Sequence, residues 1–142
     1  MKTIKILTNC LFIFAMSFTL INCGNDEEEP KGNFIKITSI TPQSPASLNF
    51  NDYVNISYEY NIVDPDGARM WIIPQTGGAN SPGYLYSSSG IFNGAGTRQV
   101  VISISDEDDP VIVDQLRVTM KNPDQSEELY EELIAVEYTF GN

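Results

Sequence analysis

From Phe34 onward the sequence predicts an all-β domain, a two-sheet sandwich of about seven antiparallel strands. Three observations carry this. The apolar residues recur at every second position, turn-forming residues interrupt them at intervals of roughly 8 to 12 residues, and no segment carries an apolar stripe of helical period. A strand exposes alternate side chains to opposite faces, so a period of two marks a chain half buried against a core.

The elements follow in order. Phe34-Ile35-Lys36-Ile37-Thr38-Ser39-Ile40 predicts the first strand, closed by Thr41-Pro42 and Ser44-Pro45. Tyr53 to Tyr60 alternates cleanly, with Val54, Ile56, Tyr58 and Tyr60 inward and Asn55, Ser57 and Glu59 outward. The Asp64-Pro65-Asp66-Gly67 turn leads into Arg69-Met70-Trp71-Ile72-Ile73, which is apolar on both faces. That pattern predicts a central strand ended by Pro74, with Trp71 in the core. Gln75 to Ser81 is loop, Tyr84-Leu85-Tyr86 a short strand, and Ser87 to Gly96 a flexible small-residue loop. Thr97 to Ser105 directs Val100, Ile102 and Ile104 inward, and Val111 to Met120 does the same with Leu116, Val118 and Met120. Asp124 to Glu132 reads as a loop or single helical turn, because Leu129 and Leu133 are four apart. The last strand places Ile134, Val136, Tyr138 and Phe140 on one face.

Charge removes one class of partner. The whole chain of 142 residues has a formal charge of −11, and Lys2 and Lys5 lie in the leader described next. The remaining cations, Lys31, Lys36, Arg69, Arg98, Arg117 and Lys121, are scattered among 19 acids. Nucleic acid is therefore not an expected partner, since phosphate binding rests on clustered Lys and Arg that release counterions.

The first thirty residues predict an address. Lys2 and Lys5 precede an apolar run from Leu11 to Ile21, then Leu20-Ile21-Asn22-Cys23 and the acidic Asn25-Asp26-Glu27-Glu28-Glu29. A positive start and a short apolar segment read as a secretory signal. The Leu20-x-x-Cys23 spacing resembles the lipobox of bacterial lipoproteins, which implies acylation of the Cys23 thiol and cleavage before it. Asn22 departs from the small residue usual at the position before the cysteine. The acids just past Cys23 resemble the export signal of Bacteroidetes-type surface lipoproteins, which implies an outer-membrane, lipid-anchored protein on the cell surface. The competing reading is an uncleaved membrane helix over Ile4 to Ile21. Two or three acyl chains, at about 0.8 kcal/mol per buried methylene, hold a protein firmly where one does not.

The organisation expected is a signal peptide over 1–22, the acylated Cys23 with an acidic tether to residue 33, and one domain over 34–142. The tether, lacking large apolar side chains, is expected to be disordered and to span roughly 17 Å. Cys10 falls in the signal and Cys23 carries lipid, so no disulfide is expected within the domain.

The order of elements, the Ser44-Pro45 before the second strand and the lone Trp71 on the third are similar to the immunoglobulin and fibronectin type III group. The resemblance spans Phe34 to Phe140 and implies a sandwich of about 100 residues. The cysteine pair of antibody domains is missing from the sequence.

Little in the inventory supports catalysis. The sequence has no histidine, so a Ser-His-Asp triad, a Cys-His dyad and a histidine metal site are excluded. No Ser-x-x-Lys arrangement surrounds Lys31, Lys36 or Lys121, and the glycine-rich stretches lack the strand, helix and terminal lysine of a phosphate loop. The expectation is no enzyme and no cofactor. Calcium is the one cation with candidate ligands, Asp64 and Asp66 in one turn and Asp106, Glu107, Asp108 and Asp109 in another loop. The simpler reading of both is a tight turn and a solvated loop. Tyr84, Tyr86 and Phe92 are candidates for an aromatic platform that contacts a glycan or a protein, against the simpler reading that they cap the core.

Overall fold

A computed structural model describes residues 32 to 141; Cys23, the leader and most of the tether lie outside the described residues. The described residues are all-β, with eight strands and no helix: β1 (Phe34–Thr41), β2 (Ala46–Leu48), β3 (Val54–Ile62), β4 (Arg69–Thr76), β5 (Ala79–Asn80), β6 (Gly94–Ile102), β7 (Val111–Lys121) and β8 (Glu128–Phe140). One sheet has the order β1-β3-β6, the other β2-β8-β7-β4-β5. All pairs are antiparallel except β2 with β8, which is parallel. The two inner faces enclose one core in which Ile35, Val54, Ile56, Ile104, Leu116, Val118, Met120, Tyr138 and Phe140 are buried.

The alternation predicted for β3 and β7 holds, because both strands lie inside their sheets with one face on the core. In β1 the register slips between Ile37 and Ser39, and this bulge lets Ile37 and Ile40, three residues apart, both pack on the core. Tyr138 donates its hydroxyl to the Pro42 carbonyl at 2.8 Å, tying β8 to the turn after β1.

Several local expectations are corrected. Pro74 does not end β4, which runs on to Thr76. The Pro74 carbonyl accepts from Ser81 on the side away from β7, so its missing N–H faces that same outer edge, where a ladder bond is not required. Nor is β4 central, for only the two-residue β5 lies beyond it. Tyr84-Leu85-Tyr86 is not a strand; Tyr84 makes one isolated bridge to Ile104. The small residues from Gly94 begin β6, where Gly96 lies under the Tyr60 ring, and a Cβ there would stand 2.7 Å from the Tyr60 hydroxyl. What reads as flexible loop is a strand thinned to admit an aromatic ring.

The acidic segment before Ile134 is strand as well. β8 starts at Glu128, with Tyr130 opposite Met120 and Ile134 opposite Leu116. The four-residue spacing of Leu129 and Leu133 is overruled by pairing along the full length of β7. A tight connection makes this register: Gln125 adopts φ 65°, Glu127 donates its N–H to the Asn122 side chain, and Asp124 caps Ser126.

Candidate functional site

The alternation of β4 sends Met70 and Ile72 into the core and Trp71, Ile73 and Gln75 to the outer face of the five-stranded sheet. Trp71 is therefore buried, at 7% exposure, yet not between the sheets as the sequence reading had it. What covers it is the segment after Tyr84. Because β5 pairs only with Gln75 and Thr76, the rest of the β4 edge would be bare, and the serines of this segment take the place of a strand. Ser89 Oγ accepts from the Met70 N–H at 3.0 Å, the Ser89 carbonyl accepts from Arg69, and the Ser87 carbonyl accepts from the Trp71 indole at 3.1 Å.

Tyr86 then stacks on Trp71, with ring centroids 6.1 Å apart and planes 25° from parallel. It remains 53% exposed, beside Leu85 at 81%. Burial pushes its hydroxyl pKa above the ordinary value, and the Arg117 charge opposes that shift. Arg117 itself sits on the same outer face, between Ile73 of β4 and Leu133 of β8 in the strand register. Glu128 and Glu131 hold its guanidinium at 2.9 and 2.5 Å, and Thr119 donates to the same Glu128 carboxylate at 3.2 Å. The result is one aromatic ring stacked on Trp71 and still half exposed, with the exposed Leu85 beside it in the chain and a braced charge pair near it. Such a surface can stack on an apolar face and offer directed polar contacts to its rim.

The three candidate aromatics are not gathered on one face. Tyr84 packs on the core, its hydroxyl 3.4 Å from the Ile72 carbonyl, and burial raises its pKa. Only its edge meets Tyr86, at 6.5 Å and 80°. Phe92 pairs with Tyr60 at 6.2 Å, and Arg98 lies 4.1 Å over its ring. Phe92 also packs against the core, so of the three Tyr86 alone belongs to the outer face. Trp71 and Arg117 were the residues missed. The phase of Leu116, Val118 and Met120 already put Arg117 outward, but nothing local could tell that β4 and the later segment meet there.

The acidic clusters lie at opposite ends of the sandwich. Ile62 at the end of β3 pairs with Gly94, next to the Asp64-Gly67 turn, whereas Val54 at its start pairs with Ile102, next to Asp106 to Asp109. Asp64 accepts from the Asp66 N–H at 2.9 Å within its own turn, and Asp106 accepts from Asn51 at 3.0 Å. Among the described residues no three acidic, cysteine or histidine side chains are grouped to hold a metal. With the two loops read as a tight turn and a solvated loop, we expect the thermal midpoint to be the same in excess calcium and in chelator, since a cation bound only by the folded state would raise it. A midpoint that rises with calcium concentration would restore one of the two loops as a site.

No protein-family model matches the chain, and neither a curated protein nor a solved structure matches it.

Proposed function

We propose that this chain is a non-enzymatic, lipid-anchored protein of the outer membrane, displayed at the cell surface, whose immunoglobulin-like domain is an adhesion or accessory module. The observation that carries the binding role is the Tyr86 ring held on Trp71 beside Arg117, exposed on the outer face of the five-stranded sheet. The immunoglobulin-like reading is supported by strand order: β1-β3-β6 against β8-β7-β4 corresponds to the A-B-E and G-F-C sets, with β2 as the part of the first strand that crosses to the second sheet. Trp71 departs from that pattern by facing outward. The anchor rests on the Leu20-x-x-Cys23 spacing and the acids after it. Replacing Cys23 by Ala should move the protein from the membrane fraction to the soluble fraction and remove a lipid-sized mass from the chain. A mutant that still sediments with membranes overturns the anchor.

A glycan ligand is the second reading, favoured by the half-exposed ring of Tyr86 stacked on Trp71 with the Arg117 charge near it. Tyr86→Ala is the discriminating variant, because Tyr84 belongs to the core and its loss would disturb the fold. Loss of glycan-array binding by tenfold or more, about 1.4 kcal/mol, supports a sugar ligand. A blank array, with a cell-surface protein captured by the parent and not by Tyr86→Ala, supports a protein ligand.

A further inference from the structure

The edges of the two sheets are not alike. β2 and β5 are three and two residues long, the segment after Tyr84 covers the rest of β4, and Lys36 and Glu132 place charges where the edges of β1 and β8 come together. Short strands, covers and charges all keep an edge from pairing. β6 has none of them. It pairs with β3 alone, and the isolated bridges of Tyr84 with Ile104 and of Phe92 with Ala68 fall just beyond its two ends. From Gly94 to Ile102, nine residues present a row of backbone N–H and C=O groups that no strand among the described residues takes up.

The distribution of charge decides what can approach this row. Of 19 acids none lies between Asp66 and Asp106, so the passage from β4 through β6 is free of carboxylates. The nearest ones lie one strand inward, where Glu59 stands in register between Lys36 and Thr97, or past the strand ends at Asp66 and Asp106. Arg98 is the one charge on β6, and it is laid over the Phe92 ring at 4.1 Å. A second copy of a chain at −11 therefore meets its least repulsion along β6.

The side chains of β6 also complement themselves. Thr97, Gln99 and Val101 lie on the outer face beside Glu59, Ser57 and Asn55, and Val101 is 49% exposed. Antiparallel pairing centred on Gln99 sets that residue against its own copy, Thr97 against Val101 as a β-branched pair, and Arg98 against Val100. Centring the pair on Arg98 instead would oppose two guanidinium groups, so charge selects the register.

We infer that β6 is a self-association edge: two copies join antiparallel through it, and their three-stranded sheets become one of six strands. Main-chain bonds supply the affinity and the Thr97 and Val101 contacts fix the register. A single strand pair is a small interface, so a dissociation constant of about 10 μM is expected. This surface is separate from the Tyr86 face.

The test is sedimentation equilibrium of the full chain in density-matched detergent, from about 1 to 200 μM, a range that brackets the expected constant. Expected is a mass of two chains at the upper end. Thr97→Lys with Val101→Lys opposes lysines in this register and should weaken the dimer about tenfold or more, whereas Thr97→Lys with Val101→Glu opposes unlike charges and should retain it, as should Tyr86→Ala. Both substituted positions are exposed, and circular dichroism of the double variants, expected to match the parent, separates loss of pairing from loss of fold. In the parent itself, amides of β6 should exchange about fivefold more slowly at the upper concentration than at the lower. The inference is overturned if the parent stays a monomer throughout, if the two double variants behave alike, or if the added protection falls on another strand.

Discussion

Trp71→Ala should lower unfolding stability by about 3 to 5 kcal/mol, the cost of removing a large buried aromatic. For a domain whose total is about 5 to 15 kcal/mol this is roughly a fifth or more. The loss has three parts. The indole is almost fully covered, its N–H leaves the Ser87 carbonyl without a donor, and Tyr86 loses the ring it rests on. The segment from Tyr84 to Gly90 is held to β4 by these bonds and those of Ser89, so its amides should exchange faster even under conditions where the core stays folded. Chemical denaturation reads the stability, and hydrogen exchange reads the segment. Trp71→Phe should recover most of the stability, since a ring remains under Tyr86. A change within about 0.5 kcal/mol for Trp71→Ala, the range of surface substitutions, would show that the covered face contributes nothing. The chain has one tryptophan, so its emission reports this site alone and should shift to the red in Tyr86→Ala, where the indole is uncovered.

Gly67→Ala is the second large effect, expected at about 2 to 4 kcal/mol from a left-handed backbone and steric overlap together. Gly67 has φ +79°, and a Cβ there would stand 2.6 Å from both the Phe92 carbonyl oxygen and Asn93 Oδ1. The carbonyl cannot yield cheaply. It accepts from the Ala68 N–H at 2.9 Å, while the Phe92 N–H donates to Ala68 at 2.8 Å, so the turn after β3 and the entry to β6 are one hydrogen-bonded unit. The denaturant midpoint should fall with little change in slope, as for a native-state effect. An unchanged midpoint would mean that the Asp64 turn rearranges freely. This makes the Asp-Pro-Asp-Gly sequence a structural joint: its glycine is required by the close approach of Phe92, and its first aspartate is already engaged by the turn's own backbone.

Much of the fold was legible because the signals were local. The two-residue period of Val54, Ile56, Tyr58 and Tyr60 needs nothing beyond one half-buried face, and the same holds for Leu116, Val118 and Met120. The misread segments are those whose state depends on a distant partner. Glu128 to Leu133 is extended because β7 offers it a ladder, Gly94 to Gly96 because Tyr60 fills the space their side chains leave, and Tyr84 to Tyr86 is irregular because it seals the edge of β4.

Alone, the amino-acid order determined that the described region is all-β with alternating strands, that acids outnumber bases, and that no histidine chemistry is available. All of these are set by composition or by neighbours a few residues apart. The tertiary structure decided that Trp71 lies under Tyr86 rather than between the sheets, that Phe92 and Tyr84 pack on the core, and that, among the described residues, β2 pairs with only the last three residues of β8. Each is a choice of which face or edge a strand presents to residues far along the chain, and pairing across the sandwich fixes that choice where local pattern leaves it open.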